Sequence, residues 1–343
     1  MKYVGVDLHK KVISLCVVMQ KAGQRVVVKR GTLRCDEPRR IQSWFRQLGT
    51  FQVTVEATSS YEWFIQLVEP LADRVVLAHP KKLRVIAEST RKTDKLDAQV
   101  LAEFLSLDMI PAAHRPSLRL REHRALVRQR QYIQRRITSA KNRLRHLLSH
   151  YNADVKYLFS QQGQAYLKEL PLSLADRFVV RQLQASLEHW RSQLLEMQSE
   201  LRKFAKKAPE AEREARQVLE TVPCVGPVTI EVVLSELGDV RRFRSQKQVA
   251  AYAGLAPGIR ESASRTKQLG ITKEGSGLLR WVMIQTAWRV VGKTRRWGLA
   301  YERLKARTGA KKAIVAIARR LLGVMVAMLT SGRRYCLASE ARA

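Results

Sequence analysis

The sequence predicts three parts: an α/β N-terminal domain with a mixed sheet, a long helical middle, and a mostly α C-terminal domain. Strand and helix patterns alternate through the N-terminal part of the chain. Further on, apolar residues recur at steps of three and four over two long stretches, which indicates long amphipathic helices. The predicted domains cover residues 1–112, 113–210 and 211–335.

The N-terminal domain is predicted to follow the order βββαβαβα. Predicted strands cover residues 3–7, 12–19, 25–29, 51–56 and 74–78. Predicted helices cover residues 38–48, 60–71 and 93–105, with a basic loop before the last of them. The first three strands are close enough in sequence to form hairpins, and the later ones are joined by crossovers. This order favours a mixed sheet flanked by helices.

The middle of the chain carries the periodicity of a coiled coil. Ile133, Ile137, Ala140, Leu144 and Leu147 mark one face of a long helix, and a second series with the same spacing runs over residues 180–204. Two interpretations remain open, a helical hairpin within one chain and a dimer interface with a basic outer face. Both can hold together.

The C-terminal domain is predicted to consist mostly of short helices. Its first feature is residues 221–227, Thr-Val-Pro-Cys-Val-Gly-Pro, which resemble the turn of a helix-hairpin-helix motif. A turn that only joins two helices is an equal alternative. Residues 257–277 are polar, and helices are predicted over residues 278–291 and 310–330.

The charge balance points to an anionic partner. The 343 residues contain 63 Lys and Arg against 30 Asp and Glu, a formal net charge of +33. A compact chain with this charge repels itself, and binding to phosphates releases counterions, so nucleic acid is the expected partner. The alternative is a generally basic surface, or a ribosome-associated protein without chemistry.

The remaining composition predicts a cytosolic protein. The four cysteines lack the spacing of a zinc site and are expected to be small core residues in a reducing compartment. The N-terminus lacks the apolar run of a signal peptide, and the apolar stretch at residues 321–329 is too short to span a bilayer.

Four carboxylates are predicted to converge. Asp7 ends the first predicted strand and Glu56 the fourth, so neighbouring strands would place both at one rim of the sheet. Asp94 and Asp97 lie three residues apart, on one face of the helix that follows. Oxygen ligands select Mg²⁺ or Mn²⁺, and two such ions would act on a phosphodiester. Taken singly, each residue could instead be an ordinary helix-terminal, strand-end or surface charge.

Three segments resemble the DEDD transposases of the insertion sequence one-hundred-and-ten family. They are Asp-Leu-His-Lys-Lys from Asp7, Val-Glu-Ala-Thr-Ser-Ser-Tyr around Glu56, and Lys-Thr-Asp-Lys-Leu-Asp-Ala around Asp94 and Asp97. Further segments resemble the family's C-terminal domain: Leu-Ala-Pro at 255–257, Arg-Glu-Ser at 260–262, Ile-Thr-Lys-Glu-Gly at 271–275 and Leu-Leu-Arg at 278–280. The chain departs from the family at Ser59 and Ala263, where glycine is usual.

The resemblance implies a RuvC-like N-terminal domain with the RNase H fold, and a DNA transposase or recombinase activity. It implies Mg²⁺ (or Mn²⁺) held by Asp7, Glu56, Asp94 and Asp97, and a serine nucleophile that forms a covalent protein–DNA intermediate. Ser262 matches the serine position, and Ser264 and Ser276 are weaker candidates. Ser262 could instead cap a helix or bind phosphate, and the position of Ser276 before a helix favours a cap.

The same resemblance implies donor and target DNA duplexes, a non-coding guide (bridge) RNA, and a dimer or tetramer as partners. Basic residues on the predicted loop, the long helix and the C-terminal domain are expected to contact nucleic acid. They are Lys81, Lys82, Arg84, Arg91, Lys92, Arg128, Arg135, Arg136, Lys141, Arg260, Arg265, Lys273 and Arg280.

Two rival functions use the same features. A RuvC-like Holliday-junction resolvase or nuclease would keep the carboxylate site and use water as its nucleophile, which leaves the C-terminal polar segment without a role. A non-catalytic nucleic-acid-binding protein would need neither the carboxylates nor Ser262.

Overall fold

The structure is a computed structural model. It describes residues 1–58, 60–86, 94–262 and 265–336. Only the backbone is described for residues 84–86, 94–96, 259–262 and 265–268. The chain divides into two compact units, Met1–Arg115 and Pro116–Ala343, so one division falls close to the boundary predicted at residue 112. The boundary predicted at residue 210 lies inside the second unit and stays a prediction.

The first unit is built on a mixed five-stranded sheet, as predicted. Its strands are β1 (Lys2–Leu8), β2 (Val12–Lys21), β3 (Gln24–Arg34), β4 (Phe51–Glu56) and β5 (Arg74–Ala78). They lie in the order β3-β2-β1-β4-β5. β1 is antiparallel to β2 and parallel to β4, and β4 is parallel to β5.

Helices cover both faces of this sheet. They are α1 (Pro38–Arg46), α2 (Tyr61–Val68), α3 (Pro80–Ile86) and α4 (Asp94–Ser106). Val4, Val6 and the β4 residue Val55 pack with Phe45 of α1 and Phe64 of α2 on one face. The alternate residues of the same strands face α4, because successive side chains of a strand point to opposite faces.

The segment that starts at Pro80 is a helix and not the predicted loop. Lys81, Lys82 and Arg84 therefore lie on α3, while Arg91 and Lys92 lie outside the described residues. Proline is favoured in the first turn of a helix, since it has no N–H to leave unsatisfied there and its φ is already helical. The segment was nevertheless predicted as a loop because of the basic residues that follow this proline.

Gly5 sets the distance between α4 and the sheet. A Cβ atom at Gly5 would lie 1.9 Å from the carbonyl oxygen of Ala98 and 2.5 Å from the backbone nitrogen of Ala102. No real side chain tolerates such distances to backbone atoms. Glycine is therefore required here, because the backbone of α4 packs directly on β1.

The second unit is mostly helical, as predicted. Its helices are α5 (Leu118–Ser149), α6 (Gln161–Glu169), α7 (Leu174–Lys206), α8 (Glu210–Glu220), α9 (Pro227–Leu237), α10 (Gln246–Tyr252), α11 (Gly277–Lys293), α12 (Arg295–Thr308) and α13 (Ala310–Ser331). α12 has no counterpart in the sequence prediction.

α5 and α7 form a hairpin within one chain, which confirms that interpretation of the middle region. Ile133 and Ile137 of α5 pack with Leu187, and Leu144 packs with Val180. The dimer interpretation is not excluded by this packing and stays a prediction.

The core of the second unit gathers around α9, α11 and α13. Ile230, Met283, Ile317 and Leu321 are buried in it. α13 is long and apolar enough to cross a membrane by length and composition alone. Its apolar residues pack in this core, as expected for the central helix of a globular unit.

Residues 221–226 form the turn between α8 and α9, where Gly226 precedes α9 without a side-chain cap and Pro227 is the first residue of that helix. This agrees with a turn that joins two helices, and the phosphate-binding interpretation stays a prediction.

Of the cysteines, only Cys16 is fully buried, and Cys336 is exposed, so the expectation of four core cysteines was wrong.

The polar segment after residue 257 contains a β-hairpin that the sequence prediction missed. Its strands are β6 (Pro257–Ser262) and β7 (Arg265–Ile271), paired antiparallel. Two glycines and many polar residues gave it the composition of a loop. The pairing of its backbone groups, and not an apolar alternation, defines the strands.

Replacing Gly5 with Ala should lower the free energy of unfolding by about 1–3 kcal/mol, because α4 has to move away from β1. Urea denaturation followed by circular dichroism measures the change. Gly292→Ala on α11 is the matched control, since a Cβ there meets nothing within 4 Å. Equal stabilities of the two variants would show that the close packing of α4 is not required.

Candidate active site

Asp7 and Glu56 lie at the same end of two adjacent parallel strands. Val6 of β1 is opposite Val55 of β4, and Asp7 and Glu56 each come one residue later. Alternation puts both side chains on the sheet face that α4 covers, since Val6 and Val55 point to the other face. The prediction that these two strands are neighbours and end at the same rim of the sheet is confirmed.

Asp7 has a partner that sequence reasoning missed. The Nε2 atom of His9 lies 3.0 Å from Oδ2 of Asp7, whose side chain is 17 % exposed. His9 is placed by the tight turn after β1, where its backbone N–H donates to the carbonyl of Val12. An imidazole this close can form an ion pair with the carboxylate when the ring is protonated. The sequence signal that could have predicted this contact is a histidine two residues after an aspartate at the end of a strand.

α4 carries the other two predicted carboxylates in its first turn. The helix begins at Asp94, of which only the backbone is described, and Asp97 is exposed. Asp97 immediately precedes Ala98, whose carbonyl is the group closest to Gly5. Gly5 and Asp7 are two residues apart on β1 and face the same side. α4 thus lies on the sheet face of Asp7 and Glu56, while Asp97 itself is exposed.

The residues whose side chains are described do not include a group of three or more His, Cys, Asp or Glu that could hold a metal ion. Asp94 is outside that set. The structure therefore joins Asp7 with His9 and aligns Glu56 beside Asp7, and the convergence of all four carboxylates stays a prediction. The donor set itself, four carboxylates and no thiolate, fits a hard divalent cation.

Ser262 is the last residue of β6, at the tip of the hairpin. It is opposite Arg265 in the register, and Arg260 is opposite Lys267. The rival Ser264 lies outside the described residues. Ser276 is a helix cap as predicted, since its hydroxyl accepts a hydrogen bond from the N–H of Leu279 at 3.1 Å.

The basic residues predicted to contact nucleic acid are placed in different surroundings. Lys81, Lys82, Arg135 and Lys273 are exposed. The guanidinium of Arg136 lies 4.8 Å from the ring centre of Tyr132, and the ammonium of Lys141 lies 4.8 Å from that of Phe159. Arg280 donates to the carbonyl of Ala253. Their role in binding stays a prediction.

Arg128 is tied to a buried carboxylate. Its Nε and Nη2 atoms donate to Glu236 at 2.9 and 3.1 Å, and the Glu236 side chain is 1 % exposed. Glu236 lies on α9, which is buried along most of its length. Burying an unpaired charge is costly, so the primary role of the Arg128 guanidinium is to neutralise Glu236 within the fold and not to contact a ligand.

A second carboxylate of α9 is held in the same way. Glu231 accepts hydrogen bonds from Arg216 and contacts the ring of His123, which is almost fully buried on α5. Burial acts to raise the pKa of Glu231, but the hydrogen bonds and charges of His123 and Arg216 outweigh it and hold the pKa below its usual value. α5 is thus fixed to α9 by ion pairs.

Replacing Arg128 with Ala should lower the free energy of unfolding by about 1–3 kcal/mol, because the buried carboxylate of Glu236 loses its charged donor. Arg136→Ala, on the same helix, should cost at most about 0.5–1 kcal/mol, since it loses only an exposed contact with Tyr132. Urea denaturation compares them, and equal costs would contradict the structural role of Arg128.

Two family models match the chain, and together they cover both units. A DEDD transposase model of the IS110 type matches residues 4–153, which contain the four carboxylates and the whole of α5. A model described as the transposase IS116/IS110/IS902 family matches residues 216–302, which contain the hairpin with Ser262.

Curated relatives match over nearly the whole chain. The transposase for insertion sequence element IS1111A of Coxiella burnetii is 26 % identical over 97 % of this chain and 91 % of its own length. The pilin gene-inverting protein of Moraxella bovis is 25 % identical over 97 % of both chains. A probable family 20 transposase of Pseudomonas aeruginosa is 24 % identical over 97 % of this chain and 98 % of its own.

The two matched regions occur in the same order as the sequence motifs. The first contains the strand ends with Asp7 and Glu56, and the second contains the β6–β7 hairpin with Ser262. The chain belongs to the IS110 family of DEDD transposases and is an enzyme that acts on DNA.

Proposed function

We propose that the protein is the transposase of an insertion sequence, and that it cuts and rejoins DNA with the carboxylates of its first unit and a serine of its second. The observation that carries the proposal is the alignment of Asp7 and Glu56 at the ends of adjacent parallel strands, under the helix that bears Asp94 and Asp97. Such an edge concentrates negative charge where a cation and a phosphodiester can meet.

The first unit is proposed to be a RuvC-like domain with the RNase H fold. Three observations support this: the order β3-β2-β1-β4-β5, the antiparallel position of β2, and the closing helix packed on β1. The family model that matches this part is named for its DEDD carboxylates.

Asp7, Glu56, Asp94 and Asp97 are proposed to hold Mg²⁺ or Mn²⁺. When bound, the ion would offset the negative charge that develops on a phosphate during displacement. The protein's own part is to fix the ligands. His9 lies beside the carboxylate of Asp7, and the backbone contact between Gly5 and Ala98 keeps α4 close to the strand ends. The hard oxygen donors support this assignment.

Ser262 is proposed to be the nucleophile. Its hydroxyl oxygen forms a bond to phosphorus, the bond from phosphorus to one deoxyribose oxygen breaks, and that oxygen takes up a proton while the serine gives one up to solvent. A hydroxyl of a second DNA strand then attacks the phosphoserine, which rejoins the DNA and restores the serine. Positive charge on Arg260 and Arg265, in the same hairpin, would favour phosphate there.

The partners are proposed to be a donor and a target duplex, a guide (bridge) RNA and further copies of this chain, as a dimer or tetramer. The net charge of +33 supports a polyanionic partner. The Moraxella relative is named for inverting a pilin gene, which fits an enzyme that acts on two DNA sites. RNA guidance rests on the family resemblance alone.

Replacing Ser262 with Ala should abolish a covalent protein–DNA adduct and leave DNA binding intact. The assay combines the protein with Mg²⁺, the element's junction DNA, a target duplex and the adjacent non-coding RNA, and separates the products under denaturing conditions. Ser264→Ala is the matched control and should retain the adduct.

The outcomes separate the rival functions. An adduct in Ser262→Ala that is lost in Ser264→Ala would move the nucleophile to Ser264. Nicking of branched DNA without any adduct in the unmodified protein would favour the water-using resolvase. Omitting the RNA tests guidance separately.

Replacing Asp7 or Asp97 with Asn should abolish strand cleavage, because the amide supplies no charge to a cation, while DNA binding persists. His9→Ala should retain cleavage reduced by about 10- to 100-fold, as for loss of a residue that orients a ligand. Asp108→Asn, whose carboxylate pairs with Arg74 on the surface, is the control. Full activity in Asp7→Asn would support a function without the carboxylate site.

Removing divalent ions with a chelator should stop cleavage in the unmodified protein, and added Mg²⁺ or Mn²⁺ should restore it. The measurement is the rate of strand cleavage on labelled DNA. Cleavage that continues at full rate in the chelator would contradict the proposed metal requirement.

A further inference from the structure

A polar groove lies between α5 and α11 in the second unit, with a volume of about 490 Å³. One wall is a stripe of α5 that includes Gln131, Arg135, Thr138 and Asn142. These residues are spaced by four, three and four positions, so they lie on one face of the helix. The other wall is Trp281 of α11.

Trp281 presents a large aromatic surface to the groove. It is 43 % exposed, whereas the next two residues of α11, Val282 and Met283, are buried in the core. Isolated exposed apolar residues are common on proteins and need no explanation. Here the indole stands opposite side chains that can each make hydrogen bonds, which is the composition of a binding site.

The stripe of α5 is distinct from the faces that hold the fold together. Ile133, Ile137 and Leu144 pack on the α6–α7 side, and Arg128 and His123 are fixed to α9. Arg135 has no carboxylate partner among the described side chains, and no residue that lines the groove is acidic. The groove therefore offers a cation, amides and hydroxyls next to an indole.

We propose that this groove binds an unpaired nucleotide of a nucleic-acid strand. The base stacks on Trp281, a side-chain amide of the α5 stripe reaches the hydrogen-bonding edge of the base, and Arg135 contacts an adjacent phosphate. Stacking on an aromatic ring beside a basic residue is how proteins bind single strands, because every base has an apolar face and every link has a charge. The inference rests on the proposed action on nucleic acid and adds a single-strand site to it.

Unpaired DNA and unpaired RNA share this chemistry. Strand exchange exposes unpaired DNA, and a guide RNA exposes unpaired loops. A second copy of this chain is the rival occupant, and the groove's lining disfavours it. Interfaces between copies are apolar at their centre, whereas here Trp281 is surrounded by polar groups and an arginine.

The test is the affinity of the full-length protein for short labelled oligonucleotides, measured by fluorescence anisotropy. The probes are a single-stranded DNA, an RNA of the same sequence and the corresponding DNA duplex. Trp281→Ala should weaken binding of the preferred single strand by about 5- to 150-fold, the usual range for loss of one stacked base. Duplex affinity should not change, since its bases are already stacked.

Trp288→Ala is the matched control. Trp288 is on the same helix and is 45 % exposed, but it packs edge-on against Tyr301 and does not line the groove. It should leave single-strand affinity unchanged. Equal losses in the two tryptophan variants, or an equal loss for the duplex, would overturn the proposal of a discrete site.

Arg135 gives a second, independent readout. Arg135→Gln should lower the slope of log affinity against log salt by about 0.7 for the single strand, the value for one lost phosphate contact. Trp281→Ala should leave that slope unchanged, because stacking releases no counterions. A Trp281→Ala variant that shifts self-association in sedimentation but not oligonucleotide affinity would assign the groove to a second copy and overturn the proposal.

These outcomes are separable from those of the proposed chemistry. If the unmodified protein forms the Ser262 adduct but Trp281→Ala binds single strands normally, the groove proposal fails and the transposase mechanism stands. If single-strand binding depends on Trp281 but no adduct forms, the groove is supported and the serine mechanism fails.

Discussion

The close approach of α4 to β1 at Gly5 is the contact on which the first unit depends. A helix that packs through its own backbone, with no side chain in between, comes nearer to the sheet than side-chain packing allows. Its first turn then lies on the sheet face to which Asp7 and Glu56 project. A hydrocarbon layer at this position would hold the two pairs of carboxylates apart. Gly5 therefore links the packing of the unit to the chemistry proposed for it.

Strand limits could be predicted from the sequence where residues that face opposite sides of the sheet alternate regularly. Elements were missed where a segment has the amino-acid composition of a loop. β1 and β4 alternate residues that face the core with residues that face α4, so their limits could be predicted closely. α3 and the β6–β7 hairpin were missed, because the first is short and contains three basic residues and the second contains mainly polar residues and glycine. In both elements the structure is defined by backbone hydrogen bonds, and the pattern of apolar and polar residues along the sequence does not indicate those bonds.

For the candidate site, the strand-end position of Asp7 and Glu56 followed from the order of elements alone. The contact of His9 with Asp7 did not, although the spacing was present, because the turn after β1 had to fold the ring back. The pairing of Arg128 with Glu236 was beyond reach for another reason. The two residues are far apart in sequence, and Glu236 lies in a helix whose burial only the tertiary structure reveals.

The small acidic content of the chain explains how its charge is arranged. With 30 acidic against 63 basic residues, carboxylates cannot neutralise the surface. Glu231 and Glu236 of α9 face inward and fix α5, while Asp7 and Glu56 sit at the strand ends. These four carboxylates add little negative charge to the outer faces. Other carboxylates, such as that of Asp108, pair with basic residues on the surface, and the excess of basic residues leaves a net positive charge there. The polar stripe around Arg135 belongs to such a face, and a polyanion bound there would relieve the repulsion within the folded chain.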